Sequence, residues 1–220
     1  MPLLAGTRLV ALDTETTGFD PSAGHELVEV ACVAIENGQI GETWSSLVKP
    51  ARPIPADAAR IHGITDAMVA VAPRPEEVAA ELRRACGTTP LVFHNASFDL
   101  PFLAALLRAG GLRPLDNPIV DTLGLARGIH GPGENSLGAL ARRHALPAET
   151  AHRAAGDART TARLLVTLVP LWEAQGKAGS LAELAAASQD VMRLARRGPD
   201  RAESPATPAA GAPEPVPTAR

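Results

Sequence analysis

An apolar run that ends in acids, followed at once by a strand hairpin, constrains this chain more than any other feature. Residues 8–14 (RLVALDT) read as a buried strand, and residues 27–36 (LVEVACVAIE) alternate as a second. Asn37-Gly38 then joins that strand to a third at 40–48, because Asn-Gly readily adopts the positive-φ pair of a two-residue hairpin turn. Further on, short apolar runs at 90–94 (PLVFH) and 118–121 (PIVD) are separated by helical patterns. Strands first in hairpin order and then alternating with helices predict an α/β protein, a mixed sheet flanked by helices.

The helical segments carry their own punctuation. Short pieces are expected around 56–61 and 65–70, and Pro75 with Glu76 and Glu77 makes a first turn running to about 85. A helix from about 97 stops at Gly110-Gly111, and Ser136 is placed to cap SLGALARRH. Across 155–175, Thr161, Leu165, Leu168 and Trp172 form one stripe with Ala158, Ala162 and Val169 beside it. Ser180 and Glu183 have capping-box spacing and open one more helix, to 197, with Leu181, Leu184, Val191, Met192 and Ala195 as its apolar positions. The organisation expected is a main domain at 1–176, an additional C-terminal helix at 177–197 and a disordered Pro/Ala-rich tail at 198–220, which has too little apolar surface to offset its ordering entropy.

Composition narrows the class. No apolar run approaches the roughly 20 residues of a membrane span, and the N-terminus lacks the pattern of a signal peptide. Cys32 and Cys86 stand without metal-type spacing and read as buried thiols in a reducing compartment, so a soluble cytoplasmic protein is expected. A formal charge of −3 argues against a generic basic DNA-coating protein. It does not exclude an enzyme acting on phosphate: two divalent ions in an acidic cleft would bring the protein to about +1 and make its attraction to phosphate local.

Three short blocks carry the chemistry. In DTETTG, Asp13 and Glu15 are two apart on a strand and point to the same face, while Gly18 allows the backbone to leave the sheet and approach a ligand. By itself this pair is also what a solvated strand end looks like. In HNASFD, Asn95 and Ser97 suit a helix start and Asp99 falls in the first turn, facing the positive end of the dipole. In HRAAGD, Asp157 lies near the start of a long helix and His152 on the loop before it. A histidine there has the pKa and the mobility of a general base. Four carboxylates in one cleft repel unless cations neutralise them, and paired cations are how enzymes stabilise an in-line displacement at phosphorus.

Together the blocks resemble the three motifs of DnaQ-like DEDDh 3′–5′ exonucleases. The resemblance spans about residues 8–172 and extends to IHGIT at 61–65, DTLGLAR at 121–127 and NSLGALARRH at 135–144, which are similar to segments of the proofreading exonuclease (epsilon) subunit of bacterial DNA polymerase III. It implies a ribonuclease H-like fold, a mixed five-stranded sheet flanked by helices. It implies that Asp13, Glu15, Asp99 and Asp157 bind two Mg²⁺ or Mn²⁺ ions, with His152 taking a proton from the water that attacks the terminal phosphodiester. Thr16, Thr17 and Gly18 would lie against the terminal nucleotide, with His62, Asn95 and Phe98 as further pocket candidates, Phe98 reading equally as a core residue. The implied partners are nucleic acid 3′ ends, single-stranded DNA foremost, and a DNA polymerase. An RNA-trimming enzyme of the same family and a non-catalytic polymerase-associated module remain the alternatives, since the motifs do not define contacts to a 2′-OH.

Other residues carry plainer readings. Asp121 reads as a helix N-cap, and His25, His130 and His144 as surface residues. Arg142, Arg143, Arg153, Arg159 and Arg163 read as phosphate contacts or a solvated helix face.

Overall fold

The computed structural model describes residues 2–197. Five strands, β1 (Arg8–Thr16), β2 (Leu27–Glu36), β3 (Gln39–Leu47), β4 (Leu91–Phe93) and β5 (Ile119–Asp121), form one sheet in the order β3-β2-β1-β4-β5. The first three are antiparallel, and β4 and β5 run parallel to β1. Eight helices surround it: α1 (Ala56–His62), α2 (Asp66–Val69), α3 (Pro75–Cys86), α4 (Ala96–Ala109), α5 (Thr122–His130), α6 (Leu137–Arg143), α7 (Ala154–Ala174) and α8 (Leu181–Arg197). At the hairpin both Asn37 and Gly38 have positive φ, 53° and 76°, the backbone that Asn-Gly favours.

β1 is the middle strand, and its alternation divides the protein. Leu9 and Ala11 face a core shared with α5, α6, α7 and α8, whereas Val10 and Leu12 face a core shared with α3 and α4. Asp13 and Glu15 continue the first face and Thr14 the second. β2 departs from the expected half-polar alternation. With β1 and β3 on its edges and helices over it, every residue from Leu27 to Val33 is buried. The stripe expected on α7 is the face it buries, and Trp172 donates its indole N–H to the Leu125 carbonyl at 3.0 Å. Burial of each such Leu or Val contributes about 1.5–3 kcal/mol. Cys32 and Cys86 are both buried free thiols.

Helix starts are held differently from the local expectation. Asn95 and Ser136 occupy the N-cap positions of α4 and α6, but neither side chain makes a capping bond. Asp121 does that work for two helices. Its buried carboxylate accepts the N–H groups of Asn95, Ala96 and Leu123, each at 3.0 Å, capping α4 as well as α5.

α8 is seated on the same core. Leu184 and Met192 are buried, Leu181 and Val191 are half-buried, and the side chain of Ala195 lies outside the described residues. Ser188 accepts the Asp121 N–H at 3.1 Å, closing a hydrogen-bonding site on edge strand β5. Glu183 accepts the N–H of Gly179, not that of Ser180. The tail at 198–220, expected to be disordered, lies outside the described residues. Among the described residues, no helix is long and apolar enough to cross a membrane.

The seat of α8 on α5 depends on Gly124, where a Cβ would come within 2.1 Å of the Ser188 carbonyl oxygen. Helix propensity alone would make Gly124→Ala stabilising by up to about 1 kcal/mol. Overpacking should reverse the sign, to a net loss of about 1–3 kcal/mol in urea unfolding; a gain in stability would show that α8 is not held against α5.

Candidate active site

The C-terminal end of β1 brings the acids together. Asp13, Glu15 and Asp157 each place a carboxylate oxygen within 4.8 Å of the others. Asp157 comes from the first turn of α7, the helix that covers this face of β1. Asp99 arrives from the first turn of α4 on the opposite side and is tied to β1 by Thr14, whose hydroxyl donates to its Oδ1 at 2.7 Å. It is buried close enough to be the foremost like charge acting on Asp13. A break in the β1–β2 register between Glu15 and Thr16 turns the chain out of the sheet just past the pair, as bulges beside active sites do.

His152 is exposed at the rim, in the left-handed region at φ 55°. Its main-chain N–H donates to Asp157 Oδ2 at 2.9 Å, so the loop that carries the imidazole is fastened to one of the clustered acids. Glu29, absent from the expected site, fastens the other end. It lies opposite Glu15 in the ladder and accepts from Arg153 Nε (3.1 Å), Arg153 Nη2 (2.7 Å) and the Ala154 N–H (2.9 Å). The one available signal was its place as the only charged residue between Leu27 and Ile35.

The six residues expected at the substrate differ in how far their groups are already engaged within the protein. Thr16 and Thr17 are buried, with hydroxyls bonded internally to the Gly18 carbonyl and the Glu26 N–H. The space over Gly18 is filled by the His25 ring, 2.3 Å from where a Cβ would lie. Gly18 therefore admits a neighbouring side chain from that direction, not a ligand, and His25 is half-buried rather than on the surface. Asn95 has φ 72° and accepts from the Ser97 hydroxyl. His62 is buried, and its Nδ1 accepts the Ile64 N–H at 3.0 Å. That bond assigns the proton to Nε2, which lies toward the Thr16 main chain but meets no partner at full hydrogen-bond geometry among the described residues. Burial holds this imidazole below the usual histidine range, against the pull of Glu29. Phe98 is half-buried between Phe102 and Phe19, with ring centroids 5.6 and 6.4 Å away. Phe19, not anticipated, directly follows DTETTG and is 83% exposed.

Two surface readings are also corrected. His130 and His144 are half-buried and face each other, Nε2 to Nε2, at 3.0 Å. Arg153 is committed to Glu29, while Arg159 and Arg163 converge on Glu149, so none of the three lies on a free solvated face. Arg142 and Arg143 are exposed.

Electrostatics identify what the acid cluster needs. Burial, then the charges of Asp99, Asp157, Glu15 and Glu29, hold the Asp13 carboxyl well above the usual carboxylate range. Burial and the same neighbours push Glu15 up to about 8, against the opposing pull of Arg153. Asp99 is pushed up to about 7, burial outweighing the hydrogen bond from Thr14. Asp157 is raised by burial despite the His152 N–H. Carboxylates with this difficulty in ionising together fit a divalent cation, which supplies the missing charge through oxygen ligands.

A converged acid cluster at the end of the central strand, with an exposed histidine beside it, is consistent with a metal-dependent enzyme of phosphate-ester chemistry. Comparison with known proteins gives that class its family. The exonuclease family profile (RNase T) matches residues 10–165, and the chain belongs to this family. It is 43% identical over 172 residues to the DNA polymerase III subunit epsilon-like protein of Rhodobacter capsulatus, an alignment covering 76% of this chain and 24% of that protein. It is 34% identical over 164 residues to the 3′–5′ exonuclease DinG of Bacillus subtilis, covering 74% of this chain and 18% of that protein. Among solved structures it superposes on exonuclease X in complex with 5′ overhanging duplex DNA with a TM-score of 0.66 and 32% identity, over 82% of this chain and 99% of that one. The chain thus spans about a quarter or less of the two relatives' lengths and nearly all of the solved exonuclease. It is an exonuclease domain homologous to the epsilon subunit and to the DinG exonuclease, on the ribonuclease H-like fold.

The raised pKa values have a consequence for stability. Groups that ionise at higher pH in the folded than in the unfolded chain favour folding while protonated, and that contribution is lost as pH rises through about 7 for Asp99 and about 8 for Glu15. The Tm of EDTA-treated protein should therefore fall between pH 6 and pH 9. The gain on adding Mg²⁺ should be larger at pH 9 than at pH 6, each kcal/mol moving Tm by about 2–4 °C. An equal gain at both pH values would contradict the electrostatic account.

Proposed function

We propose that the chain removes nucleotides one at a time from the 3′ ends of DNA, preferring single-stranded or frayed ends, and releases nucleoside 5′-monophosphates. The observation that carries this reading is the convergence of Asp13, Glu15 and Asp157 within 4.8 Å, with Asp99 beside them and His152 at the open rim. In this reading Asp13, Glu15, Asp99 and Asp157 would hold two Mg²⁺ or Mn²⁺ ions. Bound there, the ions supply positive charge to the scissile phosphate and its leaving oxygen. His152 takes the proton from the attacking water. Its exposed ring is free to turn toward the cleft, while its N–H on Asp157 keeps the loop in register with the acids. Phe19 is exposed and packs edge to face on Phe98, the neighbour of Asp99 in sequence; in this reading its free face takes an unstacked terminal base, where stacking contributes about 1–3 kcal/mol.

The epsilon-like relative bears the name of a polymerase subunit, and a cytoplasmic DNA polymerase is the partner proposed here. α8 buries Leu184 and Met192 against its own domain, so contact with a polymerase falls to its outer face or to the sequence after it.

Purified protein with 5′-labelled oligonucleotides should give a ladder in Mg²⁺ and none in EDTA; absence of any ladder from folded protein would refute the enzyme reading. Single-stranded DNA should be degraded faster than RNA of the same sequence. His152→Ala should lower kcat by about 10²–10⁴-fold while Mn²⁺ affinity by calorimetry stays within about threefold. Asp13→Ala and Asp157→Ala should lose both. A His152 variant that loses metal as severely as the aspartate variants would make His152 a ligand.

A further inference from the structure

Glu29 and Arg153 stand outside the catalytic and metal-binding roles assigned so far, yet together they hold the strained segment that carries His152. His152 has φ 55°, a conformation that costs a non-glycine residue about 1–2 kcal/mol and persists only where its surroundings enforce it. Two anchors enforce it. The N–H of His152 is bonded to Asp157, within the same segment. Glu29, from a different element and more than 120 positions away in sequence, grips the two residues that follow: the Arg153 guanidinium through a two-pronged pair and the Ala154 N–H. Arg153 is the N-cap residue of α7 and makes no capping bond of its own, so Glu29 acts as the cap from the neighbouring strand. The carboxylate is 4% exposed and faces the same side of the sheet as Asp13 and Glu15. A buried charge in that position is tolerated because three donors satisfy it.

We infer that Glu29 is a positioning residue for the base: through Arg153 and the Ala154 N–H it fixes the strained loop that presents His152, setting the base's placement rather than metal or substrate affinity. The inference rests on His152 being the base. Misplacing a catalytic group by an ångström is enough to lower turnover by about 10²-fold without weakening binding. A cap that served only the stability of α7 would instead lower Tm and act the same whether or not the base is present.

The test compares Glu29→Gln and Arg153→Lys in the full chain, each with His152 intact and in a His152→Ala background. Single-turnover rates, KM, Mn²⁺ calorimetry and Tm are measured for each. Arg153→Lys keeps the charge but loses the two-pronged geometry, and its half-exposed side chain makes it the variant that decides if Glu29→Gln fails to fold. With His152 present, kcat should fall about 10–100-fold while KM and Mn²⁺ affinity change less than about threefold. In the His152→Ala background the same substitutions should change the rate by less than about twofold, because the group they position is gone. An equal fold-loss in both backgrounds, or loss of Mn²⁺ affinity on the scale of Asp13→Ala, would overturn the inference. If His152→Ala is as fast as the parent, the base assignment falls and this inference with it. If His152→Ala is slow but Glu29→Gln and Arg153→Lys match the parent, only the positioning role falls.

Discussion

Burying several carboxylates within a few ångströms of one another is the constraint on which the site depends. Desolvation displaces Asp13, Glu15, Asp99 and Asp157 upward from the ordinary carboxylate range, and for Asp13 and Glu15 the neighbouring anions add to it. The fold offers partial relief without removing the need for cations. Two helices, α4 and α7, begin beside the cluster and contribute Asp99 and Asp157 from their first turns, where the helix dipole favours negative charge. β1 makes this possible because it is buried on both faces. Alternate residues at its end reach opposite layers, so Thr14 can hold Asp99 from α4 while Asp13 and Glu15 face α7. A divalent ion bound among these carboxylates would supply the positive charge that lets them ionise together.

Around the acids lies a second set of polar contacts that fixes the elements carrying them. Asp121 caps α4 and α5 and is in turn bonded through its own N–H to Ser188 of α8. Glu29 caps α7 and grips Arg153. Each is a buried carboxylate satisfied by three donors, and each joins segments distant in sequence. Hydrogen bonds to charged groups contribute about 1.5–3 kcal/mol, and leaving such a group unpaired costs more. These two acids are therefore placed to govern geometry, in contrast to the clustered four, whose charge remains uncompensated.

Much of this arrangement was legible in local pattern. Asn37-Gly38 specified the hairpin, the two-residue spacing put Asp13 and Glu15 on one face, and the stripe of α7 predicted the side it buries. What was not legible depends on contacts made across the fold. Glu29 looked like the polar member of an alternating strand because nothing in residues 27–36 reveals that α7 will cover that face. Asp121 was readable as a cap for the helix that follows it, but its bonds to Asn95 and Ala96 join residues about 25 positions apart. Gly18 suggested close approach by a ligand, and the approaching group is the ring of His25. Local chemistry located the acids; tertiary contacts assigned the residues that hold them in place.

Diffraction from crystals grown with Mn²⁺, at a wavelength where manganese scatters anomalously, would locate any ions among the four acids. Two anomalous peaks are expected at the end of β1, each about 2.1 Å from carboxylate oxygens, with Asp13 touching both and Glu15, Asp99 and Asp157 completing the set. Well-ordered acids with no peak among them, or ions bound only elsewhere on the surface, would contradict a metal site at these residues.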